Sequence, residues 1–216
     1  MDWSEPVDLY CERTDASFWS EPVNSVSNAA FLIAAALALD LWRRGDRKDW
    51  PALALIIVVA AVSVGSFVFH TVATRAAILA DVIPIAVFIY GYLLLALRRF
   101  LHLRVIVAVA IVAAYAAGAQ ALSGLAPTRL LNGSIGYLPA LAALIGVALS
   151  AREQSTRRSL GLAAAVFAIS LAFRTVDIAA CAEFPLGTHF VWHMLNAMVL
   201  YLLLRTAIAA RRAGTL

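Results

Sequence analysis

Five residues near the ends of apolar runs carry the chemistry this chain could do. Ser66 and His70 stand four apart in SFVFH, and Asp81 opens the apolar run eleven residues after His70. His189 and His193 stand four apart in THFVWH. A spacing of four puts two side chains on one face of a helix. Ionisable groups inside apolar segments are costly to keep and point to function. Three neutral imidazoles with one position left for water are the ligand set of a catalytic zinc. Zinc brings the pKa of that water toward about 7. Asp81 could take the water proton and deliver it to a leaving amine. Ser66 could donate a hydrogen bond to the oxyanion. The reaction implied is hydrolysis of an amide or ester presented from a bilayer.

The elements that must position these residues are membrane helices. The chain has 216 residues, of which 63% are hydrophobic and 14% charged, and a mean hydropathy of +0.86. A soluble domain would carry roughly 25% charged residues. Seven apolar stretches, 24–42, 50–69, 80–97, 103–121, 133–150, 160–176 and 188–209, have the length of a spanning helix, about 20 residues. The expected fold is an all-α, seven-helix polytopic bundle. No stretch has the alternating pattern of a membrane barrel. The acidic, polar amino terminus is not a signal peptide.

Basic residues set the expected orientation. Arg43, Arg44, Arg47, Lys48, Arg98, Arg99, Arg104, Arg152, Arg157, Arg158, Arg205, Arg211 and Arg212 fall at one set of helix ends, 13 of the 17 Lys and Arg. Arg13, Arg75, Arg129 and Arg174 fall at the other. This bias puts the carboxyl terminus in the cytoplasm and the amino terminus outside. It also brings Ser66, His70, Asp81, His189 and His193 to one depth on the outer side. Cys11 and Cys181 share that oxidising side, so a disulfide between them is expected. The net charge of +4 follows from the same asymmetry and gives no support for nucleic-acid binding. The Ala- and Arg-rich composition with short loops suggests a bacterial inner membrane with the site toward the periplasm, or an ER or Golgi membrane if the source is eukaryotic.

Several rivals meet specific residues. A retinal protein needs a lysine in the last helix, and the one lysine, Lys48, lies in a loop. Haem could be held by His70 and His193, but His189 and His193 share one helix and cannot clamp opposite faces, and Ser66 and Asp81 would be idle. A metal-stabilised lipid receptor or transporter without catalysis stays open at this point, as does a hydrolase of another acyl lipid. His102 lies among Arg98, Arg99 and Arg104 and reads as an interfacial residue. Arg174 and Asp177, three apart, read as a structural ion pair, with a role toward a substrate head group as the alternative. Asn196, one turn after His193, reads as its hydrogen-bonding neighbour or an interhelical contact. Pro84 and Pro139 read as helix kinks, and Trp192 and the tyrosines as packing or interface residues.

The segment 8–28, DLYCERTDASFWSEPVNSVSN, is dense in oxygen donors: Asp8, Glu12, Asp15, Glu21 and Asn24. Such donors in a short segment suit Ca²⁺; a solvated acidic tail has the same composition. The expected organisation is an outer segment over 1–23 with this calcium site, a seven-helix hydrolase domain over 24–210, and a cytoplasmic tail over 211–216.

The run Cys11-Glu12, a carboxylate before NSVSN, Ser66-x-x-x-His70, Asp81 eleven residues on, and His189-x-x-x-His193 resembles the alkaline ceramidases, seven-helix intramembrane hydrolases. The resemblance runs from Asp8 to His193. It implies zinc on His70, His189 and His193, Asp81 as acid and base, and Ser66 for the oxyanion. It further implies ceramide as substrate, with a fatty acid and a sphingoid base as products. It also implies a calcium site in the amino-terminal segment and a cysteine pair at the outer face. Animal members tend to have Asp-Trp-Cys-Glu, whereas here Leu9 and Tyr10 separate Asp8 from Cys11. Glu12 and Glu21 match directly, and Asp8 matches only across one inserted residue.

Overall fold

The computed structural model describes residues 2–125, 130–212 and 214. Arg129, one of the four basic residues assigned to the outer ends, and part of the expected tail lie outside the described residues. The helices are α1 (Pro22–Ser27), α2 (Ala29–Arg43), α3 (Trp50–Val72), α4 (Arg75–Arg99), α5 (Val105–Leu125), α6 (Leu138–Ser150), α7 (Gln154–Ala180) and α8 (His189–Arg212). A 3₁₀ turn, Leu130–Tyr137, leads into α6. Seven stretches are long and apolar enough to cross a membrane, with α1 and α2 together forming the first. Among the described residues no β-strand forms, only an isolated bridge between Pro6 and Thr74.

Several helices run beyond the apolar stretches that announce them. The third span begins at Arg75 rather than 80, and the sixth covers Gln154–Ala180 rather than 160–176. Helical backbone bonds are internal to the segment, so a helix continues through polar residues once its apolar part is anchored. Thr74 caps α4 by accepting from the Ala77 N–H at 3.3 Å, and Asp49 caps α3 by accepting from the Ala52 N–H at 3.3 Å. Asp81 therefore lies within α4 rather than at its start. Pro84 sits inside α4. Pro139 falls in the first turn of α6, where a missing N–H costs nothing, so it starts a helix instead of kinking one.

α8 lies against α2 and α7, and α3 against α2 and α4. Only Ala73 and Thr74 join α3 to α4, so the two run antiparallel from the histidine end. At that crossing Gly65 has no Cβ, and the Ala80 carbonyl occupies the space a Cβ would take. Gly65 thus lets the backbone bearing Asp81 approach the one bearing Ser66. At the opposite end the Arg99 guanidinium forms a buried two-pronged ion pair with Asp49, 2.7 and 2.9 Å, and also donates to the Ala207 carbonyl. One of the basic residues of the charge bias is therefore a structural clamp joining α3, α4 and α8.

The amino-terminal segment folds over the histidine end. Its Val7 N–H donates to the Ala73 carbonyl at 2.8 Å, and Glu5 pairs with Arg75 at 2.8 Å. The expected disulfide is present: Cys11 and Cys181 are bonded, with Cα atoms 5.4 Å apart.

Candidate functional site

His70 near the end of α3 and His189 and His193 in the first turns of α8 converge. Their ring centroids lie 4.5–5.2 Å apart, and one ligand nitrogen from each lies within 4.8 Å of the others. All three are buried. Among the described residues they are the one group of three or more His, Cys, Asp or Glu side chains whose ligand atoms gather in this way. His70 Nε2 and His189 Nδ1 are buried without a hydrogen-bond partner. A buried nitrogen without a partner is costly, and a metal ion would satisfy both. The group is compatible with a metal site.

The amino-terminal segment sets how the rings stand. His70 Nδ1 lies 2.6 Å from Glu21 Oε2. Glu21 is buried, which by itself raises its pKa. The hydrogen bond and charge of His70, then the bonds from Arg13 and Asn24, more than offset this and hold the carboxyl below its usual range. An ionised carboxylate only accepts, so Nδ1 must donate, and the lone pair falls on Nε2. His193 Nδ1 lies 2.7 Å from Ser27 Oγ. Ser27 spends its own proton on the Asn24 carbonyl at 2.8 Å, so His193 Nδ1 is the donor and its Nε2 keeps the lone pair. A carboxylate or hydroxyl behind each ligating imidazole is how metal sites fix the tautomer. Glu21 and Ser27 are roles the sequence reading missed. The signal was there in NSVSN and the carboxylate before it.

Asp177 organises the third histidine. Its Oδ1 accepts from the Thr188 N–H at 2.6 Å and the His189 N–H at 2.9 Å, and its Oδ2 accepts from the Cys11 N–H at 3.1 Å. The carboxylate caps the start of α8, where the helix dipole favours negative charge. This overturns the expected Arg174–Asp177 ion pair: backbone N–H donors claim both oxygens. Arg174 donates instead to Tyr10 Oη at 2.9 Å. Tyr10 stacks on His189 with centroids 3.6 Å apart, so one tyrosine is part of the site rather than mere packing. Asn196 donates to the Trp192 carbonyl within its own helix, at 3.0 Å, and does not hold His193.

Ser66 is buried, and Gly65 beside it meets the α4 backbone at Ala80 and Asp81, which sets Asp81 across the helix crossing from Ser66. Asp81 Oδ1 is buried without a partner. All five residues singled out by type and spacing therefore meet at one end of the bundle. An apolar cavity starts one helical turn below them, lined by Phe31, Val62, Phe88, Tyr137, Trp192 and Asn196 among others. His102 takes no part; it lies at the other end, beside Arg99 and Arg152.

The four carboxylates expected to bind calcium do not converge. Glu12 accepts the Val23 and Asn24 N–H groups at 2.7 and 2.8 Å and so caps α1. Asp15 is exposed and bonded to Ser17 at 2.6 and 2.8 Å. Asp8 is exposed. Glu21 faces Arg13, whose Nε lies 2.5 Å from Oε1. Arg13 also donates to the Asp15 carbonyl at 3.0 Å and the His70 carbonyl at 2.9 Å. A guanidinium thus supplies the positive charge among these oxygens, and the residues present do not fit a calcium ion.

No individual curated protein matches the chain. The sequence pattern of the family described as Ceramidase matches residues 9–214. That span takes in Tyr10, Glu21, Ser66, Asp81 and the three histidines, and with so nearly complete a match the chain belongs to the ceramidase family of amide-bond hydrolases.

Proposed function

We propose that this protein is a zinc-dependent intramembrane amidase that cleaves ceramide into a fatty acid and a sphingoid base. The observation that carries the reading is the buried trio of imidazoles, two of them with an unpartnered ring nitrogen, set beside Ser66 and Asp81 at the head of an apolar cavity. Zinc on His70, His189 and His193 would supply an acidified water and an electrophile for the amide carbonyl. The rest belongs to the chain. Asp81 takes the proton of the attacking water and returns it to the departing amine nitrogen. Ser66 donates to the carbonyl oxygen as charge builds there. The cavity between α3, α4, α6 and α8 keeps a lipid tail in an apolar setting while the head reaches the histidines. The charge bias supports an orientation with the site on the outer side and the basic ends in the cytoplasm.

Metal content and turnover test this together. Wild-type protein should carry about one zinc per chain, the stoichiometry of a single three-histidine site, and release fatty acid from an N-acyl sphingoid lipid. His70→Ala and His193→Ala should lose both zinc and turnover. Asp81→Asn should keep the zinc and lose turnover by about 10²–10⁴-fold, the usual worth of a positioned acid–base group. Full zinc occupancy with no release from any N-acyl or O-acyl lipid would overturn the reading. Lipid binding indifferent to Asp81→Asn, again without turnover, would favour a receptor.

A further inference from the structure

Arg174 is a cation among aromatic rings. It sits in α7, its Cζ 5.4–5.6 Å from the ring centroids of Tyr10, Tyr137 and Trp192. Its Nη1 donates to Tyr10 Oη, and its Nε is buried with no partner. No carboxylate among the described residues lies within ion-pair distance of it, since Asp177 is engaged by backbone donors. Asp81 is an electrostatic neighbour without being a bonded one. The position joins two parts of the site. Tyr10 stacks on His189, while Tyr137 and Trp192 line the apolar cavity.

A guanidinium has five N–H donors in a planar fork that matches a carboxylate. Ring faces stabilise its charge in part, but a sheltered cation with unused donors gains most from an anion. Tyr10 adds to the same place. Its oxygen accepts from Arg174, which leaves the phenol proton free to donate. A phenolic hydroxyl donates as well as accepts, so the same oxygen can serve both Arg174 and an anion.

We propose that Arg174 and Tyr10 form a carboxylate-binding subsite, which holds the long-chain fatty acid at the boundary between the histidine group and the apolar cavity. The ligand class follows from the geometry: an anion at the fork, with an aliphatic chain running into a cavity that offers it nothing polar. The subsite rests on the functional reading above, in which this anion is the acyl product released beside Asp81. Arg174 here is a binding residue and takes no proton.

The test uses zinc-loaded full-length protein and compares palmitate with hexadecanol, a neutral ligand of the same chain length. Affinity is read from the rise in melting temperature without substrate, and again as an inhibition constant during turnover. Wild type should prefer palmitate by at least about tenfold, the worth of charge-assisted hydrogen bonds. Arg174→Gln should bring the ratio close to parity at unchanged zinc content. Arg174→Lys should keep most of it, and Tyr10→Phe should lower it about threefold, the margin of a charge-assisted hydrogen bond to the carboxylate over a neutral one to the alcohol. Parity in wild type, an unchanged ratio in Arg174→Gln, or equal weakening of both ligands in that variant would overturn the subsite. If Arg174→Gln does not fold, Tyr10→Phe decides: a ratio it does not move overturns the subsite. Palmitate preference in a protein that hydrolyses no lipid would leave the subsite standing and sink the enzyme reading; turnover without preference would do the reverse.

Discussion

The carboxylate of Glu21 lies between the ring of His70, at 2.6 Å, and the guanidinium of Arg13, at 2.5 Å. Each contact has a separate consequence. The first orients the nitrogen that would hold the proposed zinc, so Glu21→Gln should lower zinc affinity by about 10–100-fold; competition with a chromophoric chelator would read this directly. An unchanged affinity would mean that packing alone holds the ring. The second sets a side-chain cation against the carboxylate. Arg13→Gln leaves a buried carboxylate short of its charge partner, and stability should fall by about 3–5 kcal/mol. Added calcium should not raise the melting temperature of wild type, and calcium-selective chelation should not lower it; a clear shift with either would restore an ion to this segment.

At the scale of helices the site depends on two close approaches. Gly65 lets α4 lie against α3 with the Ala80 carbonyl in the space of the missing Cβ. Gly65→Ala must push the two helices apart, and Asp81 then moves away from Ser66. The predicted outcome is a fall in kcat of about 10²-fold, the cost of roughly 1 Å of misplacement, with zinc content unchanged because α4, the helix displaced from the site, carries none of the three histidines. Comparing kcat with zinc per chain checks this, and loss of zinc in step with activity would contradict it. The second approach is at the start of α8, where Asp177 binds backbone N–H groups from Cys11, Thr188 and His189. One carboxylate there joins α7, α8 and the amino-terminal segment.

For the whole molecule, the histidine end is held by the disulfide Cys11–Cys181, the Asp177 cap and the folded-over amino-terminal segment. The basic end is held by the Asp49–Arg99 pair. The proposed zinc should therefore act on the stability of one end only. Its removal should lower the melting temperature in proportion to its binding. Hydrogen exchange should rise in the amino-terminal segment and the first turns of α8, with the Asp49–Arg99 region unaffected. Uniform loosening of both ends would show that the metal stabilises the bundle as a whole.

Much of this was readable from residue order. Apolar length specified seven spans, because a bilayer offers no partner for a backbone N–H and forces each crossing into a helix. The i, i+4 spacings and the alternation of helix direction were enough to bring Ser66, His70, Asp81, His189 and His193 to one end, since helix periodicity and topology are one-dimensional properties. The partners of those residues were not legible. Glu21 behind His70, Ser27 behind His193, Tyr10 on His189 and Arg13 among the carboxylates depend on how an irregular segment folds back over the bundle, and no periodicity governs that path. Asp177 and Arg174, three apart on one helix, satisfied the spacing of an ion pair. Only the tertiary structure decided between them: it delivered backbone donors from two other elements to the aspartate and left the arginine among aromatic rings.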